Sequence, residues 1–113
     1  MTVFDEKTDL TWQQAGSDNY MIYAEAEKYV ANLNAQNFAG HNDWRLPTRD
    51  EAMTLLLLQP IEDFYVDPVF DKTQRWIWTA DKESAGVAWV VSFFNGFCSH
   101  GHVAGFNYVR VVR

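Results

Sequence analysis

The spacing of apolar positions along this chain changes repeatedly, and each change marks an element. Val3-Phe4-Asp5 and Leu10-Thr11-Trp12 flank the polar Glu6-Lys7-Thr8-Asp9, the pattern of a short β-hairpin. From Tyr23 to Asn34, Ala26, Tyr29, Val30 and Leu33 recur at helical spacing with Glu25, Glu27 and Lys28 between them. That periodicity predicts an amphipathic helix with one buried face, closed off by Gly40. Thr48-Arg49-Asp50-Glu51 has the spacing of a capping box, and Pro47 disfavours helix before it. A second helix is predicted from there to Leu58, stopped by Gln59-Pro60. Its run Leu55-Leu56-Leu57-Leu58 is apolar on more than one face and is expected to pack between two layers.

Residues 61–75 carry Glu62, Asp63, Asp67 and Asp71 around Pro68 and have the pattern of a long loop. Aromatic and β-branched runs follow at Trp76-Ile77-Trp78-Thr79 and Ala88-Trp89-Val90-Val91-Ser92-Phe93, with a turn at Phe94-Asn95-Gly96. A glycine-punctuated segment leads to Gly105, and Tyr108-Val109-Arg110-Val111-Val112 is expected as a last strand. Hairpin, helix, helix, loop and then antiparallel strands make an α+β domain with the helices segregated from the sheet.

The chain has 113 residues, 48% of them hydrophobic and 16% aromatic, enough to bury one core. Residues 1–113 are expected to form a single domain. No apolar run approaches the length of a membrane helix. Met1–Lys7 lack the basic start and apolar stretch of a signal peptide, which leaves a cytoplasmic protein or a domain of a longer exported chain. A formal charge of −6 opposes general affinity for nucleic acid or anionic membranes. All 15 acids and seven of the nine cations fall in residues 1–83, and Arg110 and Arg113 supply the remaining formal charge. The last thirty residues are thus either mostly buried sheet or a neutral-to-basic face on an acidic body. Cys98 is alone, so no internal disulfide and no paired-cysteine metal site can form.

Several strings together resemble a known family. Thr8-Asp9-Leu10-Thr11-Trp12-Gln13 looks like its opening motif, and Ala26 and Tyr29 fall in its first helix. Asn42-Asp43-Trp44-Arg45-Leu46-Pro47-Thr48 followed by Glu51 matches its most recognisable motif. Trp76-Ile77-Trp78-Thr79, Ala88–Phe93 and Asn95-Gly96 resemble its sheet, and Tyr108–Arg113 its terminal string. The chain thereby resembles the Lcl C-terminal-domain family, named after a bacterial collagen-like adhesin. The resemblance implies a C-type-lectin-like fold: two helices packed on a twisted antiparallel sheet, paired terminal strands and a long irregular loop. It also implies a place on exported or surface proteins and, from the best-studied type, glycan binding. Members often carry a cysteine where Val111 stands, paired to one in the first helix; both are missing here, so an oxidising compartment does not carry over.

The motif around Trp44 is expected to be architectural. Trp44 would fill the core, Pro47 would fix the start of the second helix, and Arg45 would pair with Glu51 or a carbonyl. His100-Gly101-His102 sets two imidazoles on one face of an extended segment, but a metal would need a third ligand such as His41. The acidic loop lacks the calcium-loop spacing of an EF-hand. No metal or other cofactor is expected. Catalysis is not expected either: Cys98 has no evident base, no phosphate-binding Gly-rich loop is present, and Asp50 and Glu51 belong to the helix start.

Phe94 to Asn107 is the stretch expected to carry function. Asn95, Phe97, Ser99, His100, His102 and Asn107 offer an aromatic face, amides, a hydroxyl and imidazoles between glycines, the groups that sugar and protein recognition use. The competing account buries its phenylalanines in a meander. The expectation is a non-enzymatic recognition module contacting a glycan or surface protein, with self-association a further option. The alternative is a structural or oligomerisation domain of a larger exported or phage-like assembly.

Overall fold

The computed structural model describes residues 1–113. Strands β1 (Thr2–Asp5) and β2 (Leu10–Gln13) form the expected hairpin, with Asp9 at φ 61° in its turn. Helix α1 spans Tyr23–Ala35 and buries Tyr23 and Ala26, while Tyr29, Val30 and Leu33 are half-buried beside them. It ends earlier than Gly40: Gln36 is the C-cap, and Asn37 takes the left-handed conformation at φ 51°. Asn tolerates that region because its short polar side chain offsets the clash of Cβ with the backbone.

Helix α2 covers only Arg49–Met53. Its capping box is complete: Thr48 Oγ1 accepts the Glu51 N–H at 3.1 Å, and Glu51 Oε1 accepts the Thr48 N–H at 2.9 Å. The expected continuation to Leu58 fails because the last turns tighten to i→i+3 bonds, after which Leu57 N–H donates to Tyr65 O at 3.0 Å. Leu55 alone of the four leucines is buried, and Leu58 is 98% exposed, so the run does not pack between two layers.

The long irregular segment that follows is anchored by Val66, Phe70 and Gln74, all buried. Its acids stay at the surface and organise turns: Asp67 Oδ1 accepts the Val69 N–H, Asp71 Oδ1 accepts from Thr73, and Glu62 pairs with Lys72.

Strands β3 (Trp76–Ser84), β4 (Val87–Ser92) and β5 (Phe97–His102) make an antiparallel sheet in that order. β5 is a regular strand, not the meander of the competing account, and is paired residue for residue with β4 from Ser92↔Phe97 to Val87↔His102. The pleat sorts the core into two layers. Ile77 and Val91 pack with Trp12, Ala52 and Leu55 on one face; Trp78, Ala88 and Val90 pack with Tyr23, Ala26 and Trp44 on the other. The helices therefore cover opposite faces of this sheet and are not segregated from it.

The C-terminal segment joins these parts. Val109, Arg110, Val111 and Val112 are each 0% exposed. Instead of one strand partner, the segment has several: Asn107 pairs with Met21, Tyr108 with β3, Val111 with Gln13, Val112 with Arg45, and Arg113 with Thr11. The terminal segments are thereby paired, as expected.

Candidate functional site

β5 is the edge of its sheet, and its register decides which candidate residues can act together. Phe97, Ser99 and Gly101 lie opposite Ser92, Val90 and Ala88 on the face that α1 covers further along. Cys98, His100 and His102 lie opposite Val91, Trp89 and Val87 on the other. The six candidates thus form two groups, with Asn95 in the turn between β4 and β5.

On the first face Phe97 is 53% exposed and Ser99 is exposed beside it. Asn107 is half-buried; its backbone is fixed to Met21 in both directions, at 2.9 and 3.1 Å. Its Nδ2 would stand 3.5 Å from a Cβ added at Gly101, and that Cβ would also meet Val90 Cγ2 at 2.7 Å. Glycine at this position makes room for Val90 Cγ2 and the Trp78 ring, while the Asn107 carboxamide stands at ordinary contact distance. Phe106 and Tyr20, 60% and 54% exposed, meet edge to face at 5.6 Å on the adjoining chain.

The second face has a different chemistry. The His100 ring lies 4.0 Å from that of Trp89, centroid to centroid, and His100 Nε2 is 2.7 Å from Glu83 Oε2. Arg49 at the start of α2 stacks on Trp89 at 4.5 Å, and its backbone N–H donates to Asp81 Oδ2 at 2.6 Å. Trp89, Arg49, Glu83 and Asp81 were not among the sequence candidates, because Trp89 sits in a strand pattern that suggests core. The absence of acids from residues 84–113 does not make this surface free of carboxylates, since β3 folds back to place Glu83 on His100. His102 Nδ1 accepts the Ala104 N–H at 3.1 Å, a local turn contact. No three His, Cys, Asp or Glu side chains converge closely enough to hold a metal ion.

The architectural residues fall as expected. Trp44 is 2% exposed, and its indole N–H donates to Phe38 O at 2.8 Å. Arg45 pairs with Glu51 through two hydrogen bonds, which raise the Arg45 pKa and hold the Glu51 carboxyl at about 2. Cys98 is half-buried against the core.

Fold and surface together define a small α+β module with paired ends and an exposed, mixed aromatic and polar sheet edge. Residues 1–113 match the Lcl C-terminal domain family, and the chain belongs to it. That family is one of adhesin-like domains and is not a known enzyme family. Comparison with curated proteins gives no match.

Proposed function

We propose that this domain is a non-enzymatic recognition module of C-type-lectin-like architecture that binds a glycan at a bacterial surface. The observation that carries the reading is the exposed Phe97 ring on a regular strand, with the Ser99 hydroxyl and the Asn107 carboxamide on the same face. A sugar ring offers C–H groups for a phenyl face and hydroxyls for directional hydrogen bonds, and this face supplies both without a formal charge. Two helices, paired termini and a long irregular segment support the lectin-like architecture. His100 and His102 border the face from the far side of the strand.

A glycan array probed with the domain and its Phe97→Ala and Ser99→Ala variants tests this reading. Binding of defined glycans by the parent, lost in Phe97→Ala at unchanged melting temperature, is the expected result. Full retention by both variants would remove this face as the site. Absence of glycan binding, together with a mass that rises with concentration, would favour the oligomerisation role instead.

A further inference from the structure

The outer edge of β5 is a row of backbone groups that nothing in the chain covers. The β4–β5 register runs without a shift and continues in the Val103 N–H, which donates to Gly86 O at 2.9 Å. Antiparallel bonding alternates from there, so Phe97, Ser99 and Gly101 turn their backbone groups to β4. Cys98 and His100 turn theirs outward, and no loop or turn bonds the N–H or C=O of either. The opposite edge of the same sheet is closed. Trp78 N–H donates to Tyr108 O and Ala80 N–H to Pro47 O, and the charged Asp81, Lys82 and Glu83 follow. Proteins blunt a free edge with Lys, Pro, a bulge or a covering segment, and Phe97–His102 has none of these.

Charge and shape around this edge select its partner. Residues 84–109 hold no Asp, Glu, Lys or Arg, in a chain whose formal charge is −6. Two such acidic bodies repel over most of their surfaces and approach most easily along an uncharged sector. A foreign strand would be selected by pockets for its alternate side chains. This edge offers none, since no groove of the domain is lined by a residue of β5.

We propose that β5 pairs antiparallel with β5 of a second copy, about a two-fold axis at Ser99, joining the two sheets into one. This register matches each free group with another. Cys98 and the partner's His100 exchange both N–H···O bonds, and His100 and the partner's Cys98 do the same on the other side of the axis. A centre at Cys98 would draw in Gly96, whose N–H already donates to Ser92 O. A centre at His100 would draw in His102, whose carbonyl already accepts from Gly105. Ser99 faces the partner's Ser99, where each hydroxyl can donate or accept. Phe97 falls opposite the partner's Gly101, which brings no side chain of its own. The pairing leaves both sheet faces open and sets the two Phe97 Cα atoms about 14 Å apart on one of them. It goes beyond the glycan reading and does not depend on it.

Sedimentation velocity and amide-resolved hydrogen exchange of the domain, over one concentration series and without any sugar, test it. As the mass rises from one copy to two, the Cys98 and His100 amides should become protected. Those of Ser99 and Gly101, bonded to β4, should be protected throughout. His100→Pro removes an outward N–H and keeps the ladder to β4, whereas His100→Ala removes the side chain alone. The dimer should dissociate about tenfold more readily in the Pro variant than in the Ala variant, the scale of the bonds lost. Register is checked by oxidation, which also serves if the Pro variant does not fold. Ser99→Cys in a Cys98→Ala background places thiols at a non-hydrogen-bonded pair with Cα atoms about 4.5 Å apart, within disulfide reach. In the parent the two Cys98 Cα atoms stand about 8–9 Å apart, beyond it. Mild oxidation should therefore cross-link the double variant and not the parent. A mass of one copy throughout, or of three, would overturn the proposal. So would Cys98 and His100 exchange that ignores concentration, equal dissociation of folded Pro and Ala variants, or cross-linking of the parent in place of the double variant.

Discussion

Arg45 grips Glu51 with both guanidinium nitrogens, Nη1 to Oε1 at 2.7 Å and Nη2 to Oε2 at 2.8 Å. The same carboxylate caps α2, and Arg45 is bonded through its backbone to Val112. One ion pair therefore ties a helix start to the segment that joins the whole fold.

This pair makes stability depend on pH. Hydrogen bonds from Arg45, and then the Thr48 N–H, hold the Glu51 carboxyl at about 2 against an ordinary 4.5. A depressed carboxyl pKa stabilises the folded state fully above the ordinary value, and that contribution is lost as pH falls from 4.5 toward 2. The full shift corresponds to about 3 kcal/mol; with the Arg45 side chain 46% exposed, about 1–2 kcal/mol is expected. Urea unfolding across this pH range should show that loss in the parent and not in Glu51→Gln. Parallel curves for the two would contradict the assignment.

Trp44→Ala should cost about 3–5 kcal/mol, the range for deleting a buried aromatic side chain. Trp44 is 2% exposed, packs against Phe38 at 5.4 Å and donates its indole N–H to that residue's carbonyl. A domain of this size has little more stability than that to lose, so substantial unfolding by circular dichroism is expected. A small melting shift would show that the site collapses around the missing ring.

Arg110 is a buried cation held without a carboxylate. It is 0% exposed, and Nη1 donates to Gln13 O at 2.8 Å and to Gln14 O. Nη2 donates to Asp71 O at 2.9 Å and to Gln74 Oε1 at 3.3 Å. Burial lowers its pKa to about 10, which still leaves it charged at neutral pH. Arg110→Met keeps the packing over Phe70 but strips donors from carbonyls on two segments, at about 1–3 kcal/mol for each group left unpaired. Denaturant unfolding should show a loss of at least about 3 kcal/mol, and Arg110→Lys should not restore it, because an ammonium cannot span both segments. A Met variant as stable as the parent would mean that water replaces these donors.

What the sequence revealed divides along a physical line. The hairpin, α1, the capping box and the Arg45–Glu51 pair depend on residues close in the chain, where periodicity and spacing report directly. Leu58 and the residue that stops α1 went unseen because Tyr65 pairing and Asn37 geometry decide them, and neither leaves a periodic trace; the extent of α1, Tyr23–Ala35 against an expected Tyr23 to Asn34, was legible. The candidate stretch is continuous in the sequence, but its division into two faces is not legible there. One-residue parity along β5 separates Phe97 from His100, and only a known register shows which residues from β3 and α2 meet each side. Likewise, no segment count could show that Glu83 meets His100 across the sheet.

Chelation should leave this domain unchanged. His100 is engaged with Glu83, His102 caps a local turn, and the acids of the long segment point outward to separate partners. A metal held at 100 times its dissociation constant would add about 2.7 kcal/mol, a shift visible in any melting curve. Melting with and without EDTA should therefore superimpose. A drop reversed by calcium or zinc would reveal a site formed by rearrangement of these groups.

The β5 face can be separated from its core by one pair of substitutions. Phe97 is 53% exposed, so Phe97→Ala should change stability by no more than about 0.5 kcal/mol while weakening glycan binding. Gly101, two positions along the same face, is the opposite case: its new methyl would meet Val90 Cγ2 at 2.7 Å and Trp78 Cζ3 at 3.2 Å. Gly101→Ala should cost about 1–3 kcal/mol through overpacking. Asn107→Ala, half-buried with its backbone fixed to Met21, should fall between them in stability and still weaken binding. His100→Ala removes the contacts with Trp89 and Glu83 on the other side of the strand, so its effect on binding should be smaller than that of Phe97→Ala. Thermal melts and glycan titrations on the four variants check the order. If His100→Ala weakened binding more than Phe97→Ala, the contact surface would move to the Trp89 face.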